Sequence, residues 1–159
     1  MQPVLTSVPP SGEMWRYETK YDGYRALLTV SKTDVFLISR NGQPLNGLFP
    51  EIAIFAKRKL TSLHDHLPFT LDGEIVSLAN PFRSNFEYVQ KRGMMKNQEL
   101  IEKAAEKKPC HFLAFDLLAC KGKAMTSLPY TERKQKLSDL LKNLGLPMAP
   151  DPRSNERIQ

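Results

Sequence analysis

The 159-residue chain holds only two cysteines, one tryptophan and three histidines. Two cysteines, Cys110 and Cys120, are too few for a secreted disulfide scaffold and fit a reducing cytoplasm. They bracket an apolar run, and ten residues of straight strand span on the order of 33 Å, so they cannot bridge each other. They read as small buried residues. No stretch of about 18 apolar residues occurs, which excludes a membrane-spanning helix. Met1–Thr6 lacks the basic stretch and long apolar core of a signal peptide. There is no internal repeat and no low-complexity tract. Two of the histidines lie in His64-Asp65-His66, in a polar loop without a third partner at ligand spacing, so a solvated loop is expected there rather than a metal site.

What is present describes an ordinary globular domain. Apolar residues make up 41% and charged residues 25%, and 23 Lys plus Arg against 17 Asp plus Glu leave +6. That surplus favours a polyanionic partner such as nucleic acid without establishing one. Lys57-Arg58-Lys59, Lys91-Arg92 and Lys121-Gly-Lys123 are basic clusters that could touch a phosphate backbone, although each also reads as a solvated face. Prolines gather at the ends, at Pro3, Pro9 and Pro10 and at Pro147, Pro150 and Pro152. Gly145–Gln159 reads as a linker or surface crossing.

Between these ends, strands are expected at 25–31 and 35–39, joined by a hairpin loop at Ser31–Asp34. A helix is expected at Phe49–Leu60, with Pro50 in its first turn and Ile52, Phe55 and Lys59 on successive turns. Phe69–Leu78 and the very apolar Cys110–Ala119 read as strands. Asn85–Arg92, Asn97–Lys107 and Thr131–Leu144 read as helices, the last with Leu137, Leu140, Leu141 and Leu144 on one face. Without a strict βαβ rhythm, the fold class is α+β.

The chemistry concentrates in Lys20-Tyr-Asp22-Gly23-Tyr-Arg25, at the edge of a strand. Gly23 permits a turn that presents Lys20 and Arg25 to one anion. A lysine amine attacks only when unprotonated, so the site must lower its pKa through cations, a metal or desolvation. The plainer alternative is a solvated turn in which Asp22 pairs with Lys20 or Arg25. Three further strings follow. Ser39-Arg40-Asn41-Gly42 is a turn after a strand, and Leu71-Asp72-Gly73-Glu74-Ile75-Val76 puts two acids into an apolar run. Each also reads as a hairpin signal. Ala114-Phe115-Asp116-Leu117-Leu118 sets an aromatic beside an acid in a buried strand, where a core phenylalanine is the plainer reading.

Taken together and in this order, the strings resemble the covalent nucleotidyltransferases: ATP-dependent DNA ligases, RNA ligases and mRNA capping enzymes. The first matches every fixed position of the family's Lys-x-Asp-Gly-x-Arg. The resemblance implies that Lys20 attacks the α-phosphate of ATP to give a lysyl-AMP and pyrophosphate. It implies that Arg25, Arg40 and Arg133 face phosphates, that Phe115 stacks on adenine, and that Glu74 contacts the ribose or a Mg²⁺ (or Mn²⁺) ion. Glu18 would belong to the adenine pocket; strand alternation puts it on the same face as Lys20. Arg133 also reads as a solvated helix residue.

The text around the motifs, Trp15-Arg-Tyr-Glu-Thr-Lys20 and Asn85-Phe-Glu-Tyr-Val-Gln-Lys-Arg92, resembles most the ligase component of bacterial ligase D, which serves non-homologous end joining. The implied fold is a mixed, largely antiparallel, ATP-grasp-like β-sheet core flanked by helices, with the nucleotide between sheets. The implied partners are nicked or broken double-stranded DNA and other end-joining proteins, in the cytoplasm at the nucleoid. The family's later Glu-Gly-[Leu/Ile/Val]-Val-x-Lys and Lys-x-Lys strings do not occur, nor does an oligonucleotide-binding domain. Residues 1–159 are therefore expected to be the N-terminal part of an adenylation domain, whose C-terminal part is a further expected partner. Two other readings stay open: a catalytically silent nucleotide- or DNA-binding remnant, and an RNA ligase or capping-type enzyme.

Overall fold

The computed structural model describes residues 7–8, 10–12, 15–80 and 83–144. The expectations for Pro3, Pro9 and 145–159, and for the side chain of Leu144, lie outside the described residues. One five-stranded antiparallel sheet organises the chain, in the order β2-β1-β3-β6-β7. Its strands are β1 (Tyr24–Val30), β2 (Val35–Ser39), β3 (Phe69–Val76), β6 (His111–Cys120) and β7 (Lys123–Ala124). A small second ribbon pairs β4 (Leu78–Asn80) with β5 (Arg83–Ser84). The short β4, β5 and β7 carry too few residues to show a period, and the sequence reading missed them.

The helices are α1 (Pro50–Arg58), α2 (Phe86–Gly93), α3 (Gln98–Lys107) and α4 (Tyr130–Leu144). Asn85 and Asn97 lie just outside α2 and α3 as caps; their side chains accept from the backbone N–H of Tyr88 and Leu100, each at 3.0 Å. The buried stripe of α1 is Ile52, Ala53 and Ala56, not the expected Ile52, Phe55 and Lys59. Phe55 is exposed and Lys59 lies over its ring at 5.8 Å. Small alanines let the helix approach the sheet, while the aromatic left outside offers its face to the lysine ammonium. Thr61–His66 forms a 3₁₀ turn that buries Leu63, where a polar loop was expected. His66 contacts Asn143 of α4, and among the described residues no three His, Cys, Asp or Glu gather as metal ligands.

One face of the sheet makes the core. Ala26, Leu28 and Val30 of β1, Leu37 of β2, Phe69, Leu71 and Ile75 of β3, and Phe112, Ala114 and Leu117 of β6 pack with Ile52, Leu63, Val89, Leu137, Leu140 and Leu141. Cys110 is buried and Cys120 partly so. Arg92 is not the surface cation that the Lys91-Arg92 pair suggested. It is fully buried, donating to the Leu48 carbonyl at 2.8 Å and to Glu51 Oε2 at 3.2 Å, with Phe49 beneath its guanidinium. Glu51 also accepts from the Cys110 backbone N–H at 2.9 Å, so the pair joins α1, α2 and the start of β6. Among the described residues, no helix is long and apolar enough to cross a membrane.

Candidate active site

The antiparallel register brings four distant strings to one end of the sheet. There β1 begins, β2 ends, β3 ends and β6 begins. Arg25 lies directly opposite Glu74, and Glu74 opposite Leu113. Arg40 follows β2, whose last residue, Ser39, pairs with Ala26. Ser39 closes the Arg40 turn by accepting from the Gly42 N–H at 2.9 Å, and Gly42 takes φ +80°. The exposed Arg40 side chain makes no ion pair with a described residue.

Gly23 sits at the expected bend, but its φ is not positive, so the bend does not need glycine for its backbone angles. A Cβ there would stand 2.1 Å from the Ile75 carbonyl oxygen. Glycine is required because the first motif lies hard against the end of β3. The contact also turns the Gly23 backbone N–H to the Glu74 carboxylate as a hydrogen bond. Burial nevertheless raises the Glu74 pKa, against the lowering effect of that bond and of Arg25 and Lys20.

Lys20 and Arg25 both act on Glu74, but each already pairs with an acid of its own. Lys20 pairs with Asp22, and this hydrogen bond raises its pKa and holds its proton. Arg25 is engaged by Asp72, Nε to Oδ1 at 3.1 Å and Nη2 to Oδ2 at 2.7 Å, a two-pronged pair that holds its guanidinium plane. The same hydrogen bonding to Asp72 raises the Arg25 pKa. The pairing supplies a role for Asp72 that the sequence reading did not give it.

Phe115 reaches the site through a bulge. Asp72 pairs with Asp116 and Gly73 with Ala114, so Phe115 is the extra residue on β6. Between core-facing Ala114 and Leu117, a bulge of this kind re-aims the side chain. The Phe115 ring lies 5.4 Å from the Arg25 guanidinium. Arg133 of α4 is tied down by β6: Nε and Nη2 meet the Asp116 carboxylate at 2.8 and 3.0 Å, and Nη1 donates to the Leu128 carbonyl at 2.6 Å. Its first duty is to clamp α4 to β6, leaving two of its five N–H groups for another partner. Glu18 faces α4, accepting from the Tyr130 hydroxyl at 2.7 Å and pairing with Lys134. Burial, followed by the bond to Glu18, raises the Tyr130 pKa. Lys134 and Tyr130 were missed by the sequence reading; their i, i+4 spacing signals a shared helix face, but only the fold shows that Glu18 lies against it.

These groups form a rim of cations, most of them held by acids, with the Phe115 ring and the half-buried Glu74 beside them. It suits a nucleoside polyphosphate: a base against Phe115, phosphates toward Lys20, Arg25 and Arg40. The donor set also fits Mg²⁺, which uses one or two carboxylates and takes its other ligands from phosphate and water. Glu74 is the acid that would hold it.

Comparison with known proteins identifies the family. The family model described as ATP dependent DNA ligase domain matches residues 5–153. The chain is 52% identical over all 159 residues to the bifunctional non-homologous end joining protein LigD of Bacillus subtilis (strain 168), covering 26% of that protein. It is 35% identical over an alignment of 152 positions to DNA ligase C1 of Mycolicibacterium smegmatis, the match covering 90% of this chain and 41% of that one. Two solved structures, the ligase domain of M. tuberculosis LigD and a mycobacterial DNA ligase D complexed with ATP and MES, each superpose with TM-score 0.64 at 30% identity, covering 82% of this chain and 38% of theirs. The chain thus spans between 26% and 41% of the length of these two curated relatives. With its motifs gathered at one sheet end and a family model matching from residue 5 to residue 153, the chain belongs to the ATP-dependent DNA ligase domain family.

Proposed function

We propose that the chain acts as the N-terminal part of a DNA ligase adenylation domain, in which Lys20 takes AMP from ATP for the sealing of nicked or broken double-stranded DNA in end joining. One observation carries the reading. The antiparallel register sets Arg25 opposite Glu74 and brings the Arg25 guanidinium within 5.4 Å of the Phe115 ring, at the strand end next to Lys20. Three separated strings thereby become one site.

In the first step the Lys20 amine loses to solvent the proton that its hydrogen bond to Asp22 holds. Nζ then forms a bond to the α-phosphorus, and the bond from that phosphorus to the bridging oxygen breaks as pyrophosphate leaves. In the later steps AMP passes to a 5′-phosphate, and a 3′-hydroxyl displaces it. Arg25, held flat by Asp72, and Arg40 lie toward the phosphates, with the two remaining N–H groups of Arg133 as a further contact. Phe115 offers a stacking face that any purine fits. Mg²⁺ at Glu74 would neutralise phosphate charge. The C-terminal part of the adenylation domain, an oligonucleotide-binding domain and other end-joining proteins are the proposed partners, and the nucleoid in the cytoplasm the proposed location.

Intact mass after incubation with ATP and Mg²⁺, beside Lys20→Ala, tests the reading. An AMP-sized increment on the wild type alone supports it. An increment that survives in Lys20→Ala sinks the assignment of the nucleophile, and labelling by GTP in preference to ATP would move the chain to the capping class. Reversible nucleotide or DNA binding with no adduct would favour the silent-remnant reading.

A further inference from the structure

We propose that Lys134, with Tyr130, is a positioning residue that fixes the segment carrying Lys20 against the strand carrying Phe115. The proposal rests on the reading of Lys20 as the nucleophile. Residues 15–22 form neither helix nor strand, so no backbone ladder of its own holds the Lys20 segment and ties to other elements help to place it. Two described ties flank it symmetrically. Two residues after it, the Asp22 backbone N–H donates to Ser84 Oγ of β5 at 3.0 Å. Two residues before it, Glu18 accepts from the Tyr130 hydroxyl at 2.7 Å and pairs with the Lys134 ammonium. The same ammonium donates to the Phe115 carbonyl at 2.6 Å. Lys134 thus joins the nucleophile's segment to the backbone of the very residue that offers the aromatic face.

The geometry separates this tie from an ordinary surface pair. The Lys134 side chain is only 21% exposed, and its ammonium has two acceptors. Glu18 in turn has two donors. Tyr130 and Lys134 stand one helical turn apart on α4, and the ammonium lies 5.6 Å from the Tyr130 ring. A connected network of this kind is preorganised where an isolated exposed pair is not. Its function follows from distance: a shift of about 1 Å in a nucleophile can cost about 100-fold in rate.

Lys134→Met keeps the stem and removes the ammonium, while Lys134→Arg keeps a cation. Trp15, the one tryptophan, lies three residues before Glu18 and reports on the segment by fluorescence anisotropy without any nucleotide. In Lys134→Met, anisotropy is expected to fall while the far-UV signal and melting midpoint hold. Lysyl-AMP formation at saturating ATP should slow about tenfold or more, with little change in the ATP concentration for half-maximal rate. Lys134→Arg should restore most of both readouts, and Glu18→Gln combined with Lys134→Met should be no slower than the slower single variant. Unchanged anisotropy in Lys134→Met overturns the proposal. So does a fall in anisotropy with labelling at the wild-type rate. A wild type that takes up no AMP overturns the reading of Lys20 and the positioning claim with it; the nucleotide-free anisotropy distinguishes that failure from failure of the Lys134 tie.

Discussion

Replacing Gly23 with alanine puts a methyl group into a space the strands do not leave. The added Cβ would meet the Ile75 carbonyl oxygen at 2.1 Å and Glu74 Cγ at 3.0 Å, where ordinary contact begins at 3.4 Å. The closer obstacle is backbone, so a side-chain rotation cannot relieve it. The start of β1 must retreat by about 1 Å, which strains the Tyr24–Ile75 and Arg25–Glu74 pairings and draws the Gly23 N–H from Glu74. Two or three hydrogen bonds at about 1 kcal/mol each give a loss of about 2–3 kcal/mol. For a domain of this size, that is a fall of about 4–12 °C in melting midpoint. Two glycines serve as controls. Gly42 has open space around it but φ +80°, so Gly42→Ala should cost about 1 kcal/mol of backbone strain. Gly47 has open space and no positive φ, so Gly47→Ala should stay within about 0.5 kcal/mol of wild type. Chemical denaturation of the three variants measures the order, and intact-mass labelling with ATP measures the site. Lysyl-AMP formation in Gly23→Ala should slow about 100-fold, because the displaced segment lies between Lys20 and Arg25. A Gly23→Ala chain as stable and as readily labelled as Gly47→Ala would refute the close-approach account of the first motif.

Further outcomes follow from the charges. Burial raises the Glu74 pKa above 4.5, so its stabilising contribution is complete below the ordinary carboxylate range and is lost as pH rises through the folded value. Glu74→Gln should therefore be more stable than wild type at neutral pH and equal to it near pH 4, by denaturation midpoints, while losing labelling. Asp22 raises the Lys20 pKa, so Asp22→Asn should move the alkaline rise of the labelling rate to lower pH and reduce its plateau; an unmoved pH profile would exclude Asp22 as the proton's partner. Glu51→Ala leaves the fully buried Arg92 without its carboxylate and should cost about 3–5 kcal/mol in urea unfolding. Arg92→Met, which removes the charge instead of stranding it, should cost less.

The strands and helices that the sequence showed were the long ones with a clear period: β1, β2, β3, β6 and the four helices. Alternation in the strands and the leucine spacing of α4 report burial directly, and the helices read from Asn85 and Asn97 begin within a residue of those asparagines. The strings that carry Lys20, Arg25, Arg40, Glu74 and Phe115 were also legible, because each is contiguous. The local pair of Asp22 with Lys20 was among the readings too, but distant side-chain partners were not legible. Asp72, Asp116 and Lys134 adjoin residues the motifs point to or lie within the motif strings, yet their pairings with Arg25, Arg133 and Glu18 cross between 17 and 116 positions of sequence. Arg92 looked like half of a surface cluster, since nothing local distinguishes a solvated arginine from one enclosed by Leu48, Phe49 and Glu51. Gly23 looked like a turn, since a glycine needed for its φ and one needed for its missing Cβ read alike. The sequence by itself determined the longer elements and the family, and it singled out Lys20, the residue proposed here as the nucleophile. The tertiary structure alone decided which charges meet and how closely β1 lies on β3, because strand register and helix docking bring together groups that no local pattern connects.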